Sequence, residues 1–462
     1  MPKFPLVVCH LLVVFLLLVA SPLLAQPRQP VLLISVDGLR PDYVTQADQH
    51  HLRIPTLRRI LAEGAYADGV TGVFPTVTYP SHTTLVTGVW PAEHGILSNT
   101  RFDPERDFSG AWYWYADQIK TPTLWSAARD AGLHTASVSW PVTVDATSID
   151  TLIPEYWRAS AGDSTNPDDR FLMNAISRPD NELTRIAQRT GTPYMMGNNT
   201  TLAGDEVRTR YSLDILEQHR PEFMTIHLSS LDEAEHLHGP FSAEANADLE
   251  GIDAMLARLA AQELRNYPNA VIVIASDHGF AKVDRAVNLS IAFMQAGLMQ
   301  IDRSNSGAVA VRSWKAQPWA AGCMAPVILH DSADTATRDA ARVLVDKLAA
   351  DPANGIEAIL DHDAVVALGG FPDAAFVVTF RSGFCNGGAL SGPLVTESWQ
   401  KGTHGYNPAT TPEMRASFFA VGHGVARGKD LGVVDMRQIA PTLARILGVS
   451  LPTAKQPALI LH

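Results

Sequence analysis

Cysteine is scarce in this chain, with three residues in 462. Cys9 lies in the N-terminal segment discussed below, so Cys323 and Cys385 are left, too few for a disulfide scaffold. Those two could pair in an oxidising compartment, and the sequence leaves that open. Basic residues are also in deficit: 36 Lys and Arg face 48 Asp and Glu, for a formal net charge of −12. A nucleic-acid backbone calls for a basic face, so no nucleic-acid partner is expected. A small anionic substrate is not excluded, because bound divalent cations dominate the local field and reverse its sign inside a pocket. Internal repeats and low-complexity tracts are absent from the sequence.

What is present is length and apolar content. A chain of 462 residues that is 46% hydrophobic can bury a large core, and it exceeds the usual limit for a single one. Residues 1–25 carry Lys3, a Leu- and Val-rich run from Leu11 to Ala20, then Ser21-Pro22 and the small Ala25. This reads as a cleaved secretory signal. His10 and Pro22 shorten the apolar run below the ~20 residues that a membrane span needs. Cys9 lies upstream of that run, where a lipid-attachment cysteine is not expected. The expected location is periplasmic or secreted, with no stable membrane span after cleavage.

Residues 31–36, VLLISV, form a short unbroken apolar run of the kind found in a strand buried on both faces, and it ends on Asp37-Gly38. The arrangement recurs. FMTIHL at 223–228 leads to Asp232, and AVIVIA at 270–275 leads through Ser276 to Asp277-His278-Gly279. Helical periods lie between, at IPTLRRILAEGA from Ile54 and IDAMLARLAAQEL from Ile252, so the expected class is α/β with a largely parallel sheet. Open sheets of that kind bind ligands beyond the carboxyl ends of their strands, where all three aspartates fall. From about residue 288 to 399 the pattern becomes irregular and reads as a small α+β insertion or lid.

The stretch from Phe74 to Asn99 is the organising one. Thr78 directly precedes Tyr79-Pro80, so it sits where an N-cap belongs, with its hydroxyl among exposed backbone N–H groups at the positive end of a helix dipole. An anion such as phosphate would be held against that hydroxyl. Elsewhere, Asp232 and His236 stand four apart and share a helix face, while Asp277 and His278 are adjacent at a strand end. With Asp37 and His404 they make a set of six donors. Mixed carboxylate and imidazole ligands suit Zn²⁺, with Mn²⁺ or Fe as alternatives. Two divalent ions carry four positive charges; three aspartates and an ionised Thr78 return four. His82 and His94 are assigned to structure, since each can satisfy helix or turn backbone groups.

IxxDGLRPD at Asp37, FPTxTYPSHxTLVTGxxPxxHGI around Thr78, DxxxH at Asp232, SDHG at Asp277 and GTHGY at His404 together resemble the nucleotide pyrophosphatase/phosphodiesterase branch of the alkaline phosphatase superfamily. The resemblance covers most of the mature chain, in the expected order. It implies an alkaline-phosphatase-like three-layer α/β/α sandwich over residues 26–462. It further implies two zinc ions, one held by Asp37, Asp277 and His278 with Thr78 as reactive ligand, the other by Asp232, His236 and His404. Asn99 and the Tyr79 backbone N–H are implied to hold a non-bridging phosphoryl oxygen while Thr78 forms a covalent phosphothreonine. One departure is Pro80-Ser81-His82 where the family often has Pro-Asn-His. Tyr79, Trp140, Tyr156 and Trp157 are candidates to stack on a nucleobase or cover an ester group. The expected substrate is thus a small phosphodiester or nucleotide. A phosphonate hydrolase of the same superfamily is the nearest alternative, and a catalytically silent, metal-stabilised envelope protein a more distant one. A sulfatase is disfavoured, because neither Cys323 nor Cys385 lies in a CxPxR context.

Overall fold

The structure is a computed structural model, and the residues it describes are 28–105, 111–156, 167–303 and 309–462. The expected signal segment and Trp157 lie outside the described residues. The central sheet has eight strands: β1 (Val31–Val36), β2 (Ala65–Tyr66), β3 (Thr135–Val138), β4 (Thr151–Ile153), β5 (Phe223–Leu228), β6 (Val271–Ala275), β7 (Phe418–Gly422) and β8 (Lys429–Asp430). Their order is β8-β2-β7-β6-β1-β5-β3-β4. From β6 to β4 all pairings are parallel, whereas β7 runs antiparallel to both of its neighbours. Five parallel strands therefore deliver their carboxyl ends to one rim, which is where the sequence places its aspartates.

The principal helices are α1 (Pro55–Glu63), α2 (Thr78–Thr87), α3 (Leu124–Asp130), α4 (Leu202–His219), α5 (Ser230–His238), α6 (Ala243–Asn266), α7 (Thr335–Ala349) and α8 (Ile439–Leu447). Strand alternation splits the sheet's side chains between two cores. Leu32, Ile34 and Val36 of β1 pack with Leu57 of α1, Tyr211 and Ile215 of α4, and Leu249 and Leu256 of α6. Val31 and Leu33 face the other way, onto Leu85 of α2, Trp125 of α3, and Ile439 and Leu443 of α8. Helices thus cover both faces, which is why these strands read as continuous apolar runs. The result is the three-layer α/β/α arrangement that the sequence predicts.

Beyond β6 the chain builds smaller sheets. A four-stranded antiparallel sheet runs in the order 316–318, 324–329, 374–380, 356–361, and α7 packs on it through Ala341 and Val345. The strand Ala281–Val287 pairs with 383–386, 395–397 and 402–403. A disulfide joins Cys323, just before the strand Met324–Leu329, to Cys385. The sequence leaves that pairing open, and a sequence separation of 62 gives it no local signature.

Candidate active site

Each rim residue arrives on a separate element. Asp37 follows β1, Asp277 and His278 follow β6, Asp232 and His236 lie on α5 after β5, and His404 follows the short strand Gly402–Thr403. The structure brings all six together with Thr78. His278 Nε2 is 3.0 Å from Asp277 Oδ2 and 3.4 Å from Asp37 Oδ1. Asp232 Oδ2 is 3.4 Å from His236 Nε2, and its Oδ1 is 3.6 Å from His404 Nε2. The rings of His278 and His404 stack at 3.6 Å, so the two halves of the cluster touch. Asp232, His236 and His404 form one trio with donor atoms within 4.8 Å of each other; Asp37, Asp232 and His278 form another. Asp232 thus faces both halves, where the resemblance assigns it to one. Outer contacts fix the imidazoles: His236 Nδ1 donates to the Gly402 carbonyl and His404 Nδ1 to the Thr76 carbonyl.

Thr78 does not cap its helix. The N-cap is Val77 in extended conformation, Thr78 is the first helical residue, and no side chain caps this end. The Thr78 hydroxyl is therefore not spent on backbone, and it lies 3.4 Å from His278 Nε2. The Tyr79 N–H donates to Asn99 Oδ1 at 2.9 Å, which turns the Asn99 amide nitrogen outward as the remaining donor. A cavity of about 380 Å³ covers these groups, lined by Asp37, Thr78, Tyr79, Asn99, Tyr156 and His404 among others. A larger groove of about 840 Å³ around Tyr115, Arg129 and Arg178 shares no residue with it.

Of the aromatic candidates, Tyr79 and Tyr156 line the cavity, joined by Trp112, which stacks on Trp114 at 5.5 Å. Trp140 is a correction: it is fully buried, edge-on to His82 and Trp125, and belongs to the core beneath the sheet. The sequence offers Trp140 as a group to stack on a nucleobase, but its ring lies in the core instead. His82 donates from Nδ1 to the Thr78 carbonyl, and His94 accepts from the Ile96 N–H, so both meet helix or turn backbone. Burial, then His227, hold His82 at a pKa of about 3.

Four polar residues of the site escape sequence reasoning. His227, within β5, places Nε2 2.9 Å from Asp37 Oδ2 and Nδ1 2.9 Å from Glu155 Oε2. Glu155 Oε1 accepts from the Tyr79 hydroxyl at 2.6 Å. Asp205 and Arg208, on α4, form a hub. Asp205 accepts from the N–H groups of Ser229 and Ser230 at the start of α5. The Arg208 guanidinium donates to Asp205, Ser229, and the carbonyls of Gly197 and Asn199. A histidine inside an otherwise apolar strand is the one signal that could have flagged this group.

The electrostatics ask for cations. Burial, then Asp277 and Asp232, push Asp37 well above the usual carboxylate range. Burial also raises Asp232. Burial opposes the ionisation of Asp277, but His278 and His82 pull it below the ordinary value. Burial works against His278 too, yet Asp277 lifts it to about 9. Asp37 Oδ1, Asp232 Oδ1 and Asp277 Oδ2 are buried without a hydrogen-bond partner. Buried carboxylate oxygens are costly unless hydrogen-bonded, paired or metal-bound, so oxygen and imidazole donors at this density fit divalent cations.

The molecule is similar to murine ectonucleotide pyrophosphatase/phosphodiesterase 5, solved as an inactive form in complex with AMP, with a TM-score of 0.63 and 18% identity over 93% of this chain and 96% of that one. The human counterpart gives a TM-score of 0.60 at 19% identity, covering 91% and 96% of the two chains. By sequence, the chain is 25% identical over 262 residues to ectonucleotide pyrophosphatase/phosphodiesterase family member 1 of Homo sapiens, 54% of this chain and 23% of that protein. It is 26% identical to the bis(5'-adenosyl)-triphosphatase of Pongo abelii, over 60% and 54% of the two. The matched region thus spans about a quarter of the first of these relatives and about half of the second. The type I phosphodiesterase / nucleotide pyrophosphatase family profile matches residues 31–407, most of the chain, and the chain belongs to that family.

Proposed function

We propose that this chain is an exported, two-metal phosphodiesterase and nucleotide pyrophosphatase that cleaves phosphodiester or phosphoanhydride bonds through a covalent phosphothreonine at Thr78. The observation that carries the reading is the uncommitted Thr78 hydroxyl, at the amino end of α2 and 3.4 Å from His278, beside two trios of candidate metal donors. Asp37, Asp277 and His278 would hold one cation, and Asp232, His236 and His404 the other, with zinc favoured by the mixed donors. Divalent cations bound there would supply Lewis acidity to the reacting phosphoryl group.

The protein's own part is positioning. The Thr78 hydroxyl gives its proton to solvent as its oxygen attacks phosphorus in line; the bond from phosphorus to the leaving oxygen breaks, and that oxygen departs to take a proton from solvent. The Asn99 amide N–H groups and the dipole of α2 hold the non-bridging oxygen as charge builds, a donor typically worth ~3 kcal/mol. Water then cleaves the phosphothreonine and returns the Thr78 hydroxyl. Tyr79, Trp112 and Tyr156 form the wall that receives a nucleobase or apolar ester group. The relatives named as pyrophosphatases, phosphodiesterases or a triphosphatase support this substrate class.

Turnover of a bis-aryl phosphate against an aryl phosphate tests the diester assignment, and preference for the monoester overturns it. Cleavage of a phosphonoacetate-like compound in preference to both would instead favour the phosphonate alternative. Rapid quench followed by mass spectrometry is expected to find phosphate on Thr78. N-terminal sequencing of the mature protein tests export, with cleavage expected after Ala25.

A further inference from the structure

The rim carries a hydrogen-bonded chain that the proposed chemistry does not use. It begins at the cavity wall, where the Tyr79 hydroxyl donates to Glu155 Oε1 at 2.6 Å. Glu155 Oε2 lies 2.9 Å from His227 Nδ1, and His227 Nε2 lies 2.9 Å from Asp37 Oδ2. The Ser139 carbonyl is 3.1 Å from the same Nδ1. A carbonyl can only accept, so Nδ1 carries a proton and the imidazole is held from behind. Ser139 reaches this position with φ at +54°, a left-handed conformation that non-glycine residues rarely adopt and that tends to persist at functional sites. His227 is itself buried on β5, and its partners come from the ends of three other strands, β1, β3 and β4.

The outcome at Asp37 is asymmetric. One carboxylate oxygen, Oδ2, is engaged by His227, while Oδ1 is buried, has no hydrogen-bond partner and faces His278 Nε2 at 3.4 Å. We propose that His227 and Glu155 are positioning residues that hold Asp37 as a one-oxygen metal donor, by occupying Oδ2 and aiming Oδ1 into the cation site. The inference rests on the two-metal reading above. A carboxylate fixed through one oxygen cannot rotate to a two-oxygen grip, so the pair also limits how many coordination positions Asp37 fills. Outer partners of this kind typically contribute 10–100-fold to metal affinity.

The test uses the full chain, stripped with a chelator and titrated with Zn²⁺ alone against a fluorescent indicator. Wild type is expected to take up two ions. His227→Ala is expected to weaken one of the two by about 10–100-fold and leave the other unchanged, and Glu155→Gln to weaken the same one. His227→Gln keeps an amide donor near Oδ2 and is expected to recover part of the loss. In an Asp37→Asn background, His227→Ala is expected to have less than about a twofold further effect, because its route to the metal is gone. Melting of the stripped proteins monitors folding; should His227→Ala not fold, His227→Gln and Glu155→Gln carry the comparison. Wild-type affinity at both sites in the foldable variants overturns the proposal. So does an equal loss with and without Asp37, which would mark a packing role. A wild-type protein that takes up no Zn²⁺ instead overturns the two-metal reading beneath it.

Discussion

At the scale of single residues, position relative to the backbone decides function. Thr78 stands one place past the N-cap, so its hydroxyl is not tied to a backbone amide as a capping threonine's would be. Thr78→Ala is expected to lower diester turnover by roughly 10³-fold or more, and because no cap bond is lost, the melting temperature should move by only a few degrees. Most of the rim's candidate donors are legible in the sequence because they follow an apolar run, as Asp37 and Asp277 do, or keep helical spacing, as Asp232 and His236 do; His404 follows a polar stretch and is legible only in the GTHGY motif. His227 is not, because it sits within a strand whose neighbours are all buried, and Glu155 follows a strand of three residues, too short to leave a pattern. Glu263 is another silent case. It is buried on α6 with Oε2 unpartnered, and burial lifts its carboxyl to about 8. The folded state then holds a proton that the unfolded state releases near pH 4.5, so this residue destabilises the fold progressively as pH rises from about 4.5 to 8. Glu263→Gln is expected to flatten that decline. At pH 8.5 the variant should be the more stable protein, by at most about 1.4 kcal/mol for each tenfold by which folding tightens the carboxyl's hold on its proton, as read from urea midpoints.

At the scale of elements, the carboxyl ends of the parallel strands form the candidate site, and the helices that follow them aim its donors. α5 is held at its start by Asp205, which takes the N–H groups of Ser229 and Ser230, while Arg208 ties the same carboxylate to the carbonyl of Asn199 and to that of Gly197 in the cavity wall. Breaking a buried pair by removing one partner typically costs about 3–5 kcal/mol. Arg208→Ala is therefore expected to lose stability on that order in chemical denaturation. Arg208→Lys, with fewer donors and no fork, should fold but release the wall, raising KM for a diester more than it lowers kcat. The helices and strands of the three-layer core are legible in the sequence, since their periods of 3.6 and of continuous apolarity survive into the structure as α1, α6, β1 and β6. Trp140 departs from its expected place for an element-level reason: its strand ends beside α3, so the ring turns down into that helix's core and away from the rim.

At the scale of the whole molecule, the distant parts are joined by contacts that leave no trace in local sequence. The Cys323–Cys385 bond closes a long loop, and its removal by a double Cys→Ser change is expected to destabilise the chain by about 4 kcal/mol on the loop-entropy model. Its effect reaches the site. Gly405, directly after His404, has φ at +89°, and a Cβ there would lie 2.6 Å from Gly322 Cα and 2.8 Å from the Cys323 nitrogen. The histidine loop is thus seated against the cystine turn, and reduction is expected to loosen His404 before it unfolds the sheet, seen as earlier loss of bound metal than of helical circular dichroism.

The order of the donors along the chain has a consequence for biogenesis. They begin at position 37 and end at 404, and the antiparallel strand that abuts β6, Phe418–Gly422, comes later still. A partial product that ends before His404 can carry Asp37, Asp232 and His278 but lacks the trio of Asp232, His236 and His404, so that second trio can be completed only late, once most of the polypeptide has emerged. Filling of that trio would then depend on the ions that the nearly finished chain meets.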